Sequence, residues 1–158
     1  MKFRTGQGID FHRLVEGRDL WLGGVLVPSG KGSLAHSDGD VLIHAICDAI
    51  LGAAGLRDIG FHFPDNDGSY LNIDSKILLA RTVEMASEKG FRIVNIDSTV
   101  MLESPKLSPH IPEMCRVLAS VAGIAADAVS VKATTTEGMG FTGRGDGIVA
   151  MASVLLEH

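Results

Sequence analysis

Ser37-Asp38-Gly39-Asp40-Val41-Leu42-Ile43-His44-Ala45-Ile46-Cys47-Asp48-Ala49-Ile50-Leu51 is the stretch from which the fold can be worked out. Val41, Leu42, Ala45, Ile46, Ala49 and Ile50 recur at helical spacing. Ser37 is a natural N-cap, and Asp38 and Asp40 suit the positive end of a helix dipole. The spacing predicts a helix over 38–54, stopped by Gly55. Upstream, residues 2–12 and 20–27 read as strands around the turn Glu16-Gly17-Arg18-Asp19. Downstream, a second helix is predicted over 75–89, capped by Asp74 and ended by Gly90, and a third over 111–122, stopped by Gly123. Residues 94–103 alternate apolar and polar as a half-buried strand does, and 128–134 and 147–156 read as the last two strands. The expected class is α+β: a four-stranded mixed β-sheet plus a small N-terminal hairpin, with helices packed on one face. The other face needs cover, which self-association would supply.

The segment 57–73 carries Asp58, Gly60, Pro64, Asp65, Asn66, Asp67 and Gly68, a composition read as irregular; such loops in compact domains are often functional. The chain has 158 residues, 46% hydrophobic and 21% charged, and its net charge is −5. That fits one catalytic domain over 1–158. The absence of a basic stripe argues against a nucleic-acid partner, and no stretch is apolar enough for a membrane span or a secretory signal. The expected location is cytoplasmic. Cys47, in an apolar helical run, reads as a buried small side chain. Leu156-Glu157-His158 matches the start of a purification tag and is given no functional weight.

Asp10-Phe11-His12 is the first candidate for chemistry. On a strand, Asp10 and His12 point to one face while Phe11 turns into the core. Carboxylate and imidazole are both zinc ligands. In the predicted helix, Asp40, His44 and Asp48 form one polar ridge at i, i+4, i+8. Such a ridge is either a solvated face or a metal-ligating histidine backed by a carboxylate. Three protein ligands would leave an open coordination position, as catalytic zinc sites do. His36 and Ser37 precede that helix, where backbone N–H groups favour phosphate. In Thr134-Thr135-Thr136-Glu137-Gly138-Met139-Gly140-Phe141-Thr142-Gly143-Arg144-Gly145, hydroxyls can donate to phosphate, Glu137 suits Mg²⁺, and Arg144 is a fork for an anion. The stretch lacks the Walker lysine pattern and the glycine spacing of a dinucleotide fingerprint. Lys106 lies in the stiff loop Ser104-Pro105-Lys106-Leu107-Ser108-Pro109, whose exposed backbone groups suit a base edge.

Gly8-Ile9-Asp10-Phe11-His12, Ala35-His36-Ser37-Asp38-Gly39-Asp40, His44-Ala45 with Asp48, Asp58-Ile59-Gly60 with Phe63-Pro64-Asp65, and Lys132-Ala133-Thr134-Thr135-Thr136-Glu137 with Gly140-Phe141-Thr142-Gly143-Arg144-Gly145 occur in this order. Together they resemble the 2-C-methyl-D-erythritol 2,4-cyclodiphosphate synthases. The resemblance implies one Zn²⁺ per subunit on Asp10, His12 and His44, with a substrate phosphate as fourth ligand. It implies a methylerythritol-phosphate site at His36 and Ser37 with Asp58, Ile59, Gly60, Phe63, Pro64, Asp65, Asn66 and Asp67. Leu102, Glu103, Ser104, Pro105, Lys106, Leu107 and Ser108 would bind cytosine and its phosphates. Thr134, Thr135, Thr136 and Glu137 would handle the diphosphate, with Mg²⁺ or Mn²⁺ at Glu137. His36 and Thr135 take the catalytic positions, and Phe141 and Arg144 also match ligand positions. The family pattern implies a homotrimer with active sites between subunits and room for an isoprenoid phosphate on its axis.

The implied reaction turns 4-diphosphocytidyl-2-C-methyl-D-erythritol 2-phosphate into the 2,4-cyclodiphosphate and CMP, in the non-mevalonate isoprenoid pathway. A zinc phosphohydrolase, with water in the open metal position, is the competing enzyme reading. A non-catalytic trimer that clamps an isoprenoid phosphate through Arg144 is the competing binding reading.

Overall fold

The computed structural model describes residues 2–158. Its strands are β1 (Phe3–Glu16), β2 (Leu20–Leu22), β3 (Val25–Val27), β4 (Lys31–Leu34), β5 (Arg92–Met101), β6 (Val129–Thr134) and β7 (Gly147–Glu157). Its helices are α1 (Val41–Ala54), α2 (Ile59–His62), α3 (Ser75–Glu88), α4 (Ile111–Ala122) and α5 (Gly140–Gly143). The mixed sheet has the order β4-β1-β7-β5-β6, with only β5 and β6 parallel. The class is α+β as expected, but the main sheet has five strands rather than four.

The fifth strand, Lys31-Gly32-Ser33-Leu34, has no apolar alternation and pairs with the far end of β1 through Arg13 to Glu16. The N-terminal hairpin also differs. Residues 2–12 pair with β7 and not with 20–27. Residues 20–27 instead fold on themselves as β2 and β3 about Gly23-Gly24, both at positive φ, as a tight hairpin turn requires. Helix α1 begins at Val41 rather than 38, because Gly39 at φ 76° breaks the turn. Its cap is Asp40, which accepts from Ile43 N, and not Ser37. The 57–73 segment is not wholly irregular. Asp58 caps α2 by accepting from Phe61 N, and Asp67 caps a 3₁₀ turn over Gly68–Tyr70.

Helix α1 lies across β1 and β7, α4 covers β6, and α3 rests on α1 and α4. The core runs between them through Leu42, Ile46, Ile50, Leu79, Ile96, Met114, Leu118 and Ile148, all fully buried. Glycine sets how closely α1 sits. A methyl group at Gly6 would lie 1.9 Å from the Ala49 carbonyl oxygen, and one at Gly8 1.9 Å from that of Ala45.

The even residues of β1 therefore face the helices, and the odd ones face away. Phe11 is on the open face, 53% exposed, and not in the core. Strand register puts Ile9, Met151, Thr99 and Lys132 in one row on that face, and Phe11, Val149, Met101 and Thr134 in the next.

Cys47 and Cys115 are free, and burial pushes the Cys47 thiol up to about 12, which makes it inert. The C-terminal residues pack into the fold. Leu156 is fully buried, Glu157 pairs with Arg92 at 2.6 Å, and the His158 N–H donates to Lys2 O at 2.9 Å. Among the described residues no helix is long and apolar enough to cross a membrane.

Candidate active site

The close contact of β1 with α1 brings Asp10, His12 and His44 together. Asp10 and His12 share the helix-facing side of β1, and His44 stands on the second turn of α1. Asp10 Oδ2 lies 3.1 Å from His44 Nδ1 and 3.5 Å from His12 Nε2. One donor atom from each residue falls within 4.8 Å of the other two. His12 Nδ1 is 2.6 Å from the Phe11 carbonyl oxygen and donates to it, which leaves the Nε2 lone pair facing the centre. That buried nitrogen has no partner in the protein.

Burial opposes the charge on Asp10, but the His44 hydrogen bond and the nearby imidazoles outweigh it and hold the carboxyl below its usual value. Burial also pushes His12 down, against the pull of Asp10. It acts the same way on His44, where the Asp10 hydrogen bond and charge prevail and raise it. An orphaned imidazole nitrogen, a second imidazole and an ionised carboxylate at this spacing fit a divalent metal ion.

The polar ridge of α1 does not act as one unit. Asp40 accepts from Gly23 N, Gly24 N and Ile43 N, joining the β2-β3 hairpin to the helix. Asp48 accepts from Ile59 N at 2.7 Å and positions α2. No carboxylate touches the outer nitrogen of His44. Two hydroxyls do, Ser75 Oγ at 3.0 Å and Ser37 Oγ at 3.2 Å.

A cavity of about 340 Å³ opens beside the three ligands, lined by His36, Ser37, Ile59, Gly60, Phe63 and Asp65 among others. Burial leaves His36 Nε2 without a partner there. Phe63 is held by an edge-on contact with Tyr70 at 5.6 Å. Asp58, Pro64, Asn66 and Asp67 do not line this cavity; Asp58 and Asp67 spend their carboxylates as caps.

The loop that carries His36 and Ser37 is held from behind by Arg18. Its guanidinium donates to Ser33 O at 3.3 Å, Ala35 O at 3.1 Å and Ser37 O at 3.4 Å. Arg18→Met leaves these carbonyls unpaired. It should cost about 2 kcal/mol in urea unfolding and raise KM while metal content stays unchanged. Unchanged stability and KM would show that the loop holds itself.

A second cavity, about 230 Å³, lies elsewhere on the chain. It is lined by Leu102, Glu103, Pro105, Lys106, Leu107 and Ser108 with Ala133, Thr134 and Thr135. Leu102 N donates to Thr134 O at 3.0 Å, which joins the two segments. Glu103 keeps a buried carboxylate oxygen without a partner. Thr135 Oγ1 donates to Glu137 Oε1 at 3.4 Å. Thr136 serves the loop instead, bonding Met139 O at 2.6 Å and Thr142 Oγ1 at 2.8 Å. Phe141 and Arg144 line neither cavity. Phe141 sits against Phe11, ring centroids 6.3 Å apart, and Arg144 pairs with Asp146 at 2.9 Å.

The two cavities share no lining residue. They lie at different places on the sheet. Thr134 is in the row of Phe11 on the open face, whereas its neighbour Ala133 is in the row of Asp10. Three strand spacings, about 14 Å, separate β1 from β6.

Sequence reading missed Arg18, Asp38 and Ser75 as parts of this site. Asp38 was assigned to the helix dipole and Ser75 to the start of a helix, and their link spans 37 positions with no periodic trace.

A family model described as the YgbB family matches residues 3–157. The 2-C-methyl-D-erythritol 2,4-cyclodiphosphate synthase of Bacteroides fragilis is 64% identical over 158 residues, covering 100% of this chain and 99% of that protein. Among solved structures, the bifunctional IspDF from Campylobacter jejuni superposes with a TM-score of 0.96 at 44% identity. That match covers 99% of this chain and 42% of the bifunctional one, so the chain spans less than half of that protein. A 2C-methyl-D-erythritol-2,4-cyclodiphosphate synthase in a form bound to CDP superposes with a TM-score of 0.90 at 38% identity, over 98% of this chain and 100% of that one.

Proposed function

The chain belongs to the YgbB family, with cyclodiphosphate synthases as its full-length relatives, and we propose that it performs their reaction in a site closed between two subunits. It converts 4-diphosphocytidyl-2-C-methyl-D-erythritol 2-phosphate to 2-C-methyl-D-erythritol 2,4-cyclodiphosphate and CMP, a step of isoprenoid precursor synthesis. The observation that carries the composite site is the pair of cavities with no common residue, one beside β1 and α1 and the other at the end of β6, three strands away. One chain holds them apart. A homotrimer can bring them together, if the metal-side cavity of one copy meets the 102–108 cavity of the next. The open face, with Ile9, Phe11 and Met151 exposed, gives three copies an apolar surface to share.

The substrate's 2-phosphate oxygen forms a bond to the β-phosphorus, and the bond from that phosphorus to the CMP oxygen breaks. The nucleophile is already ionised, so the protein's task is to bring two anions together and hold them in line. His36, with its free Nε2, and Ser37 hold the methylerythritol 2-phosphate. Ile59, Gly60 and Phe63 wall this half and exclude water, which would otherwise give a linear product. Leu102 to Ser108 hold the cytosine by backbone groups, with Lys106 beside the phosphates. The Thr135 hydroxyl meets the charge that develops on the diphosphate, as His36 does from the other side. Asp10, His12 and His44 suit zinc, and Glu137 suits Mg²⁺ or Mn²⁺; bound there, these ions supply positive charge against phosphate repulsion. Arg144 would exchange Asp146 for the anion of an isoprenoid phosphate on the trimer axis. The chain works as one catalytic domain in the cytoplasm.

The test is incubation with the diphosphocytidyl substrate, zinc and magnesium, followed by phosphorus NMR. CMP and a cyclic diphosphate should appear together. A linear phosphate product would replace this reading with that of a metal-dependent hydrolase.

A further inference from the structure

We infer that Ser75 and Asp38 form a hydroxyl–carboxylate relay that fixes which nitrogen of His44 faces the metal and frees the Ser37 hydroxyl proton for substrate. The inference rests on the metal reading above and assigns two residues outside the ligand set.

A serine hydroxyl has one proton and two lone pairs, and a carboxylate only accepts. Ser75 Oγ lies 2.5 Å from Asp38 Oδ1, and Ser75 N donates to Asp38 Oδ2 at 2.9 Å. The Ser75 proton is therefore taken up by Asp38. Toward His44 Nε2, 3.0 Å away, the same oxygen has only a lone pair to offer. His44 Nε2 must then carry the hydrogen. In a neutral imidazole that puts the lone pair on Nδ1, the nitrogen 3.1 Å from Asp10 Oδ2 and aimed at the metal centre.

The Ser37 proton follows from the same count. Ser37 Oγ accepts from Gly39 N at 3.1 Å and can share the Nε2 hydrogen at 3.2 Å. Both contacts use lone pairs, so its own proton is free to enter the cavity it lines. Without Ser75, the ring hydrogen could move to Nδ1, leaving the Nε2 lone pair to accept from Ser37. Nδ1 would then offer no lone pair to the metal, and the Ser37 proton would point at His44 instead of the substrate.

Capping does not account for Ser75. Helix α3 is capped by Asp74, which accepts from Lys76 N at 2.9 Å. The Ser75 side chain is fully buried, and its hydroxyl touches only Asp38 and His44. Both residues of the relay also sit where the 57–73 segment joins the His36 loop, through Asn72 N to His36 O at 2.7 Å and Asp38 N to Ile73 O at 3.1 Å.

The experiment uses the full-length zinc-loaded protein with ¹⁵N-labelled histidine. Long-range proton–nitrogen spectra should show His44 protonated at Nε2 and metal-bound at Nδ1. In Ser75→Ala, zinc affinity in a chelator competition should fall about 10- to 100-fold, with turnover restored by excess zinc. Metal bound at Nε2 in the parent would overturn the relay, as would an affinity within about twofold of the parent in Ser75→Ala. The nitrogen assignment needs no variant, so it decides even if Ser75→Ala folds poorly. A parent that binds no zinc would overturn the metal reading itself. A parent that binds zinc beside an unaffected Ser75→Ala would overturn the relay alone.

Discussion

His44→Ala should contain well under one zinc per chain by elemental analysis and release CMP at least about 10³-fold more slowly than the parent, the equivalent of roughly 4 kcal/mol of lost charge stabilisation. His44 is the ligand that joins the two elements of the centre, since Asp10 and His12 both come from β1. Without it, two donors on one strand remain, too few to hold a tetrahedral ion with an open position. The fold should survive. The side chain lies at the edge of the core, 12% exposed, and alanine keeps the helix. A cooperative melt in the variant separates loss of metal from loss of structure. Full zinc occupancy in His44→Ala would show that the ligand set is wrong. The contrast with Ser75→Ala is part of the expectation. Excess zinc should restore turnover when the outer hydroxyl is lost, and should not when the ligand itself is lost.

Residue spacing made the ligand set legible, and residue hydrophobicity misled about its surroundings. The i, i+2 spacing of Asp10 and His12 and the helical period around His44 place three donors on two elements that a packed α+β domain can bring together. Which face of β1 they occupy is another matter. Phe3, Ile9 and Phe11 are large apolar residues on one side of that strand, and by hydrophobicity Phe11 reads as core. The core side is instead Gly6, Gly8, Asp10, His12 and Leu14, because α1 comes too close to leave room for side chains at 6 and 8. The apolar residues are left on the open face, which the proposed trimer would cover. The short strand β4 and the Gly23-Gly24 hairpin were hidden for a related reason: backbone pairing, not apolar patterning, defines them. Arg18, Asp38 and Ser75 act across 15 to 37 positions of sequence through single hydrogen bonds, which leave no pattern to read. The motifs that carry the family resemblance name residues of both cavities and imply a site between subunits; the separation of about 14 Å between the cavities on one chain comes from the strand order.

That separation makes a second large effect testable. Thr135→Ala removes an exposed hydroxyl from the 102–108 cavity and should slow turnover by about 10²-fold or more if that hydroxyl meets developing charge. His44→Ala disables the other cavity. Each variant alone should therefore be nearly inactive. Co-expressed with different affinity tags and purified as mixed assemblies, the two should regain activity. A working site needs an intact metal side, which the Thr135→Ala chain supplies, and an intact diphosphate side, which the His44→Ala chain supplies. In a cyclic trimer that holds both chains, one of the three junctions has the productive order, so about a third of the sites are whole. Mixed assemblies should then reach about a third of parental turnover, while their zinc content falls to about half. A site contained within one chain predicts no recovery at any ratio, because every copy carries one defect. The result thus distinguishes a shared site from a self-contained one without a structure of the assembly. Recovery would also tie the catalytic role proposed for Thr135 to the metal-side cavity, which lies three strands away within a single chain.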